Sequence, residues 1–525
     1  MTLSNGGRTR RWPDKSMENK TGDRNRSVAR SIDRGWVTML VGLAAVTLIV
    51  HLLTGGRYGF HRDELATLDD AKHLAWGYVA YPPITPFFAR LSLEFFGTSL
   101  TGFRFFAALA DAVAVVLAGL ITHQLGGGRG AQLLTALAVI PFCLGAGTLM
   151  QYVSFDYLFW VLTAYCVANL LRSGDRRWWI GVGCSIGFGM LTKYTMVICI
   201  AGVVVAVLLT DLHGDLKSKG LWIGVGCSLL IFLPNFLWQL RHDFVSVDFL
   251  RHIHSRDVRI GRTSTFLSDQ LLLTLFSLPL AIAGLYLYFW SGNGRCFRAL
   301  GWMYVVPFAL FFILRGRGYY VEPAYPVLFA GGSVWAEDSL AKIRPLWGRA
   351  AWAALWAAMA VNILLTAAFM LPLAPINSTW WRTPLKINGD FAEEIGWLEL
   401  AETVARIRDS RLDHQQSRIA ILTGNYGEAG AINLYGSHFG LPTAISGVNS
   451  FWERGYRDPP PQTLIVLGFS RAFLEQHFES CEIAGRVQNR FDITNEETRD
   501  HPEIFICRRL RGSWPQFWRT LRHYG

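Results

Sequence analysis

Long apolar runs separated by short polar breaks extend from Trp36 to about Leu371, after which the pattern changes to brief β-type runs between charged stretches. A helix crosses a hydrocarbon core with roughly 20 residues. On that measure the runs predict spans near 36–53, 103–123, 131–149, 155–171, 178–192, 195–210, 221–240, 267–290, 300–314, 319–336 and 350–371. The expected fold class is mostly α: a polytopic transmembrane helical bundle of about eleven spans at 36–374, then a small C-terminal α/β soluble domain at 375–525. In that domain RIAILTG and TLIVLGF read as buried strands, each ending in glycine, with helical patterns around 391–409 and 470–478.

Composition agrees with a membrane protein: 51% of residues are apolar and only 17% charged. The net charge of +11 does not imply a nucleic-acid partner, because the basic residues fall in short loops between apolar runs. These are Arg129, Arg172 with Arg176 and Arg177, Lys217 with Lys219, Arg295 with Arg298, and Lys342 with Arg344 and Arg349, a pattern that marks the cytoplasmic side. Residues 1–35 read as a disordered basic cytoplasmic tail with no small-residue cleavage site. The stretch 178–210 is too long for one ordinary span and holds Lys193 in MLTKYTM; two short spans keep all the basic loops on one side. The opposite, external face then collects the long first loop 54–100, the 150–156 turn, Lys193, the 241–266 loop, the Arg315–Arg317 turn and the C-terminal domain. Cys481 and Cys507 lie in that domain; a disulfide between them requires an oxidising compartment, and spacing alone does not establish it.

The external face carries the candidate chemistry. The first loop is too long for a connector and predicts one or two helices along the membrane surface, with Asp63 and Glu64 near the start of the first. Two carboxylates there serve a reaction or merely cap a surface helix. Asp156 in QYVSFDYLFW sits at the mouth of an apolar span, where an ionisable group is costly unless it is used or solvated. Lys193, Arg315 and Arg317 are placed to hold a phosphate or to snorkel to headgroups. Carboxylates that deprotonate an acceptor or hold a metal, with cations that neutralise a departing phosphate, are what glycosyl transfer from a polyprenyl-phosphate sugar requires. The 241–266 loop adds His242, Asp243, Asp248, His252, His254 and Asp257; RHIHSRD is a weak metal pattern because His252 and His254 are two apart. There is no Walker-type phosphate loop and no CxxC pair. In the soluble domain GNYGEAGAI leads from a strand into a helix, so Tyr426 and Glu428 face a ligand or form ordinary turn chemistry; Asn449, Trp452 and Glu453 suit sugar stacking or packing.

HRDE in the first loop, YPPITP closing it, FDYLFW, MLTKYT, PNFLWQLRHDF and GYYVEPAYPVL occur in an order that resembles the bacterial dolichyl-phosphate-mannose mannosyltransferase-like membrane glycosyltransferases, which include the aminoarabinose lipid A transferases. The resemblance covers roughly residues 36–371 and implies a GT-C fold. By position it implies Asp63 as the catalytic carboxylate with Glu64 beside it, Asp156 as the second acid, and a divalent metal, if one is used, at Asp63 or Asp156. Where the aminoarabinose transferases read KPP, this chain has Tyr81-Pro82-Pro83, which leaves the lipid phosphate to Lys193, Arg315, Arg317 or the Tyr81 hydroxyl. His242, Tyr320, Glu322, Tyr426, Glu428, Asn449 and Trp452 remain candidates for the acceptor or sugar. The implied partners are a polyprenyl-phosphate-linked sugar, an envelope lipid or glycan acceptor such as lipid A or lipopolysaccharide, and membrane lipids. The implied setting is the bacterial inner membrane, with active site and soluble domain facing the periplasm. A flippase or transporter of lipid-linked sugars is the other reading of charges near broken helices, but the hydropathy shows no pair of similar halves.

Overall fold

The computed structural model describes residues 34–412 and 419–525. The basic tail expected over 1–35 lies outside them, except that Arg34 and Gly35 open the first helix. Among the described residues, eight helices are long and apolar enough to cross a bilayer. The other three expected spans, around 178–192, 195–210 and 319–336, are helices of 13, 14 and 16 residues, so the expected eleven is not reached by length.

In chain order the bundle contains α1 (Arg34–Thr54), the first-loop helices α2 (Arg62–Lys72) and α3 (Ile84–Phe96), then α4 (Phe105–Gln124), α5 (Arg129–Ala146), α6 (Tyr152–Ser173), α7 (Trp178–Met190) and α8 (Met196–Leu209). It continues with α9 (Lys219–Arg241), α10 (Val245–Arg259), α11 (Phe266–Thr274), α12 (Leu278–Phe289), α13 (Arg298–Ile313), α14 (Tyr325–Leu340) and α15 (Pro345–Met370). The split at 178–210 is real: α7 and α8 are separated by a turn that carries Lys193. The run 267–290 is also broken, because Leu275 takes a positive φ and Pro279 begins a new helix. Only 17% of the α9 span and 11% of the α15 span are buried, so their leucines, Leu230 and Leu364 among them, face lipid.

Small residues let the helices close on each other, as expected where lipid removes the hydrophobic drive between spans. A Cβ on Gly183 of α7 would strike the backbone of Gly224 in α9, and one on Gly284 of α12 would strike the Leu328 backbone in α14.

The soluble domain opens with α16 (Trp397–Arg411) and forms one five-stranded sheet of order β2-β1-β3-β5-β4. Its strands are β1 (Ile419–Thr423), β2 (Ala444–Ser446), β3 (Thr463–Leu467), β4 (Phe478–Arg486) and β5 (Glu503–Leu510); α17 (Tyr426–Tyr435) connects β1 to β2. β2, β1 and β3 run parallel, with Ile421 opposite Ile465, while β5 and β4 pair antiparallel and Cys481 opposite Cys507 closes a disulfide.

The first-loop helix α2 joins the two parts. Its Leu65 and Leu68 are fully buried in one cluster with Phe103 and Phe155 of the bundle and with Trp397, Ile421 and Leu434 of the soluble domain. Gly430 permits this contact, since a Cβ there would press on the Leu65 backbone.

Candidate active site

Three consecutive residues at the start of α2 point in three directions because successive helical positions turn by about 100°. His61 caps the helix: its Nδ1 accepts the Asp63 backbone N–H at 3.2 Å, and its own N–H donates to Glu64 at 2.9 Å. Glu64 turns inward and is fully buried. It accepts from Arg104 Nε at 2.8 Å, from Arg104 Nη2 at 2.6 Å and from the Met150 N–H at 2.8 Å. Arg104 also donates to Glu394 and to the carbonyls of Gly55 and Gly59, so this carboxylate ties the first loop to the bundle and to the segment leading into the soluble domain. It does not line the cavity.

Asp63 does line it. Its side chain is 43% exposed and faces a cavity of about 1790 Å³ between the bundle and the soluble domain. Both carboxylate oxygens are oriented: Gln151 Nε2 donates to Oδ2 at 3.0 Å, and the Tyr426 hydroxyl donates to Oδ1 at 2.8 Å.

Lys193 lines the same cavity. Its Nζ lies 3.8 Å from Asp156 Oδ2 and over the rings of Tyr320, Tyr152 and Tyr319, at 4.4, 4.9 and 5.6 Å from their centroids. Aromatic faces hold a cation while keeping it partly dehydrated. Asp156, also bound by Trp160 Nε1 at 3.1 Å and Thr195 Oγ1 at 3.4 Å, is buried behind Lys193 and does not itself line the cavity. Arg315 is exposed at the rim in a left-handed conformation, with no acidic partner among the described residues. Arg317 lines the cavity with its guanidinium on Asp257 at 2.6 Å. Tyr320 and Glu322 line the same wall.

Tyr81 is present but occupied: its hydroxyl donates to Asp70 at 2.6 Å. Asp70 and Asp69 are both bound by Arg454 of the soluble domain, and Asn433 Nδ2 donates to Asp69 at 2.7 Å. Glu428 lines the soluble-domain wall fully buried, with burial pushing its carboxyl up to about 8. Asn449 lines it too, at positive φ.

Two candidates lie elsewhere. Trp452 packs inside the soluble domain, where its Nε1 donates to the Trp518 carbonyl at 2.9 Å. His242 stacks on Trp238, with ring centroids 3.9 Å apart, and does not line the cavity. His254 of the RHIHSRD segment lines the cavity, but Asp257 is engaged by Arg317. Among the described residues no three His, Cys, Asp or Glu side chains are grouped to hold a metal ion, and Asp63 and Asp156 are each held by protein donors. Sequence reasoning missed Gln151, Arg454, Tyr152 and Tyr319, and it named Asp257 without its partner Arg317. Gln151 and Tyr152 sit in the turn already singled out, and Tyr319 lies beside Arg317, but nothing local marks Arg454 as a partner of Asp69.

The bundle, its first-loop helices and the capping α/β domain define a GT-C fold, a class of polytopic membrane proteins. Residues 80–238 match the family model of the dolichyl-phosphate-mannose-protein mannosyltransferases. The chain is similar in structure to ArnT from Cupriavidus metallidurans bound to undecaprenyl phosphate, with TM-score 0.55 and 15% identity over 90% of this chain and 98% of that one. Against the apo state of the same enzyme the values are 0.53, 16%, 91% and 98%. The Archaeoglobus fulgidus oligosaccharyltransferase aligns with TM-score 0.45 and 12% identity over 82% of this chain and 68% of its own. No curated protein gives a significant sequence match.

Proposed function

We propose that this chain is a membrane glycosyltransferase that moves a hexose or pentose from a polyprenyl-phosphate donor to a hydroxyl of an extracytoplasmic acceptor, such as lipid A, lipopolysaccharide or another envelope glycan. The observation that carries the reading is one cavity lined both by an oriented, accessible carboxylate, Asp63, and by a cation caged by tyrosines, Lys193. The ArnT likeness supports a lipid-phosphate donor, since that enzyme was solved with undecaprenyl phosphate. The Cys481–Cys507 disulfide supports a periplasmic position for the soluble domain, and with it an inner-membrane protein whose cavity faces outward.

In this mechanism the acceptor hydroxyl transfers its proton to Asp63 as its oxygen attacks the anomeric carbon. The bond from that carbon to the phosphate oxygen breaks, and the polyprenyl phosphate leaves with the bonding pair. Lys193, aided by Arg315 at the rim, stabilises the charge that develops on the departing phosphate. Asp156 holds Lys193 in place, and Arg317 remains anchored to Asp257. Attack from the face opposite the leaving group inverts the anomeric configuration.

The test incubates the purified chain in detergent with a panel of polyprenyl-phosphate sugars and candidate acceptors and follows release of polyprenyl phosphate. Release that disappears in Asp63→Asn is expected; undiminished release in a folded Asp63→Asn protein would falsify the assignment. Detergent removes the two compartments that a flippase needs, so turnover there also separates transfer from transport.

A further inference from the structure

The soluble-domain wall of the cavity contains a feature that the donor chemistry leaves unused. In the order β2-β1-β3, β1 continues through α17 to β2 on one side, whereas β3 lies on the other. The carboxyl ends of β1 and β3 therefore form a topological switch point, where open α/β sheets receive ligands. Gly424 and Gly468 end these strands, packed so closely that a Cβ on Gly424 would strike the Gly468 carbonyl.

Around this crevice Glu428 and Glu497 are almost completely buried, yet Glu428 Oε1 and Glu497 Oε2 have no hydrogen-bond partner among the described residues. Both residues line the cavity. Their other oxygens are fixed: Glu428 Oε2 accepts the Gly424 N–H at 3.2 Å, and Glu497 Oε1 accepts from Asn425 Nδ2 at 3.3 Å. Arg62, next to Asp63, pairs with Glu496 and lies 4.0 Å from Glu497. Tyr426, two residues before Glu428, reaches Asp63. A buried polar atom left without a partner is costly, so two of them on residues that line one cavity point to a ligand whose entry turns both carboxyls toward it.

We infer that this crevice is a second subsite, in which Glu428 and Glu497 bind neighbouring hydroxyls of a neutral carbohydrate, the acceptor's sugar, and present its next hydroxyl to Asp63. The inference rests on the transferase reading above. Hydroxyls suit the two acids better than a cation does. Burial pushes the carboxyls of Glu428 and Glu497 up to about 8 and about 7, so near neutrality they offer donors as well as acceptors, as a vicinal diol requires. The neighbouring guanidinium of Arg62 already supplies positive charge.

The experiment measures binding without donor or turnover, so its failure is distinct from failure of the transferase assay. The full chain in detergent is titrated with methyl glycosides of neutral hexoses, each followed by saturation-transfer NMR. At least one glycoside is expected to bind, with an affinity that falls about tenfold or more in Glu428→Ala, as for loss of a strong hydrogen bond, and that survives in Lys193→Ala. Glu497→Ala provides the same reading should Glu428→Ala fail to fold. No binding by the native chain, binding unaltered in the folded acid variants, loss in Lys193→Ala instead, or preference for a cationic glucosaminide over neutral glycosides would each overturn the subsite.

Discussion

The two walls of the cavity are built on opposite terms. The bundle wall presents Lys193, Arg315 and Arg317 among tyrosines, and each cation except Arg315 has one acid beside it, Asp156 or Asp257. The soluble-domain wall presents Glu428, Glu496 and Glu497, with Arg62 contributed from the first loop. Asp63 stands between them, one oxygen held by Gln151 of the bundle and the other by Tyr426 of the soluble domain. On the proposed mechanism the cations would meet the departing phosphate and the carboxyl groups the hydroxylic acceptor. The lesson is that the Asp63 carboxylate is oriented jointly by both walls and belongs fully to neither.

The largest effect is expected at the junction itself. Asp63→Asn should lower kcat by about 10²–10⁴-fold, the usual worth of a general base, read by polyprenyl-phosphate release with the protein's thermal unfolding unchanged. On the cationic side Lys193→Ala should cost about 10²–10³-fold in kcat/KM, with partial recovery in Lys193→Arg. If Lys193→Ala lost no more than a variant on the acidic wall, the division of labour between the walls would be wrong.

Between the domains, Arg454→Ala takes the guanidinium from two buried carboxyl groups, Asp69 and Asp70, which keep only Asn433 and Tyr81, and should weaken domain docking by about 1.5–3 kcal/mol. Faster hydrogen exchange in α2 and α17 would show it, and unchanged protection would remove Arg454 as the latch. A further effect is one of pH. Glu428 has its carboxyl raised from 4.5 to about 8 in the folded chain, so the unfolded chain gives up this proton first. The Glu428 contribution should therefore be least unfavourable at low pH and should lower stability as pH rises from about 4.5 to about 8. Glu428→Gln should flatten that part of the melting-temperature profile.

The bundle was legible because the apolar runs must satisfy their own backbone in lipid, and even the break at Lys193 could be argued from loop charge. The parallel core of the soluble domain was legible at β1 and β3, whose strands are buried on both faces. β4 was not: it is an edge strand with most residues exposed, and FESCEIAGR lacks an apolar run. At the site, Asp63 and Lys193 reach the cavity as expected. Glu64 has the same charge as its neighbour and differs only in helical phase, which sends it to Arg104. Trp452 was ambiguous by type, and its partner Trp518 lies 66 residues away. Such choices depend on tertiary contacts that no local pattern carries.

The bond between Tyr426 and Asp63 spans 363 residues of sequence. A ribosome adding about 5–20 residues per second therefore inserts the first loop roughly 20–70 s before the phenol that completes it has been made. During that interval the nascent bundle is inserted with Asp63 still lacking one of its two orienting side-chain donors. Chains truncated before residue 426 should accordingly release no polyprenyl phosphate even when inserted. Asp63 thus gains its second oriented contact only after most of the chain has been synthesised.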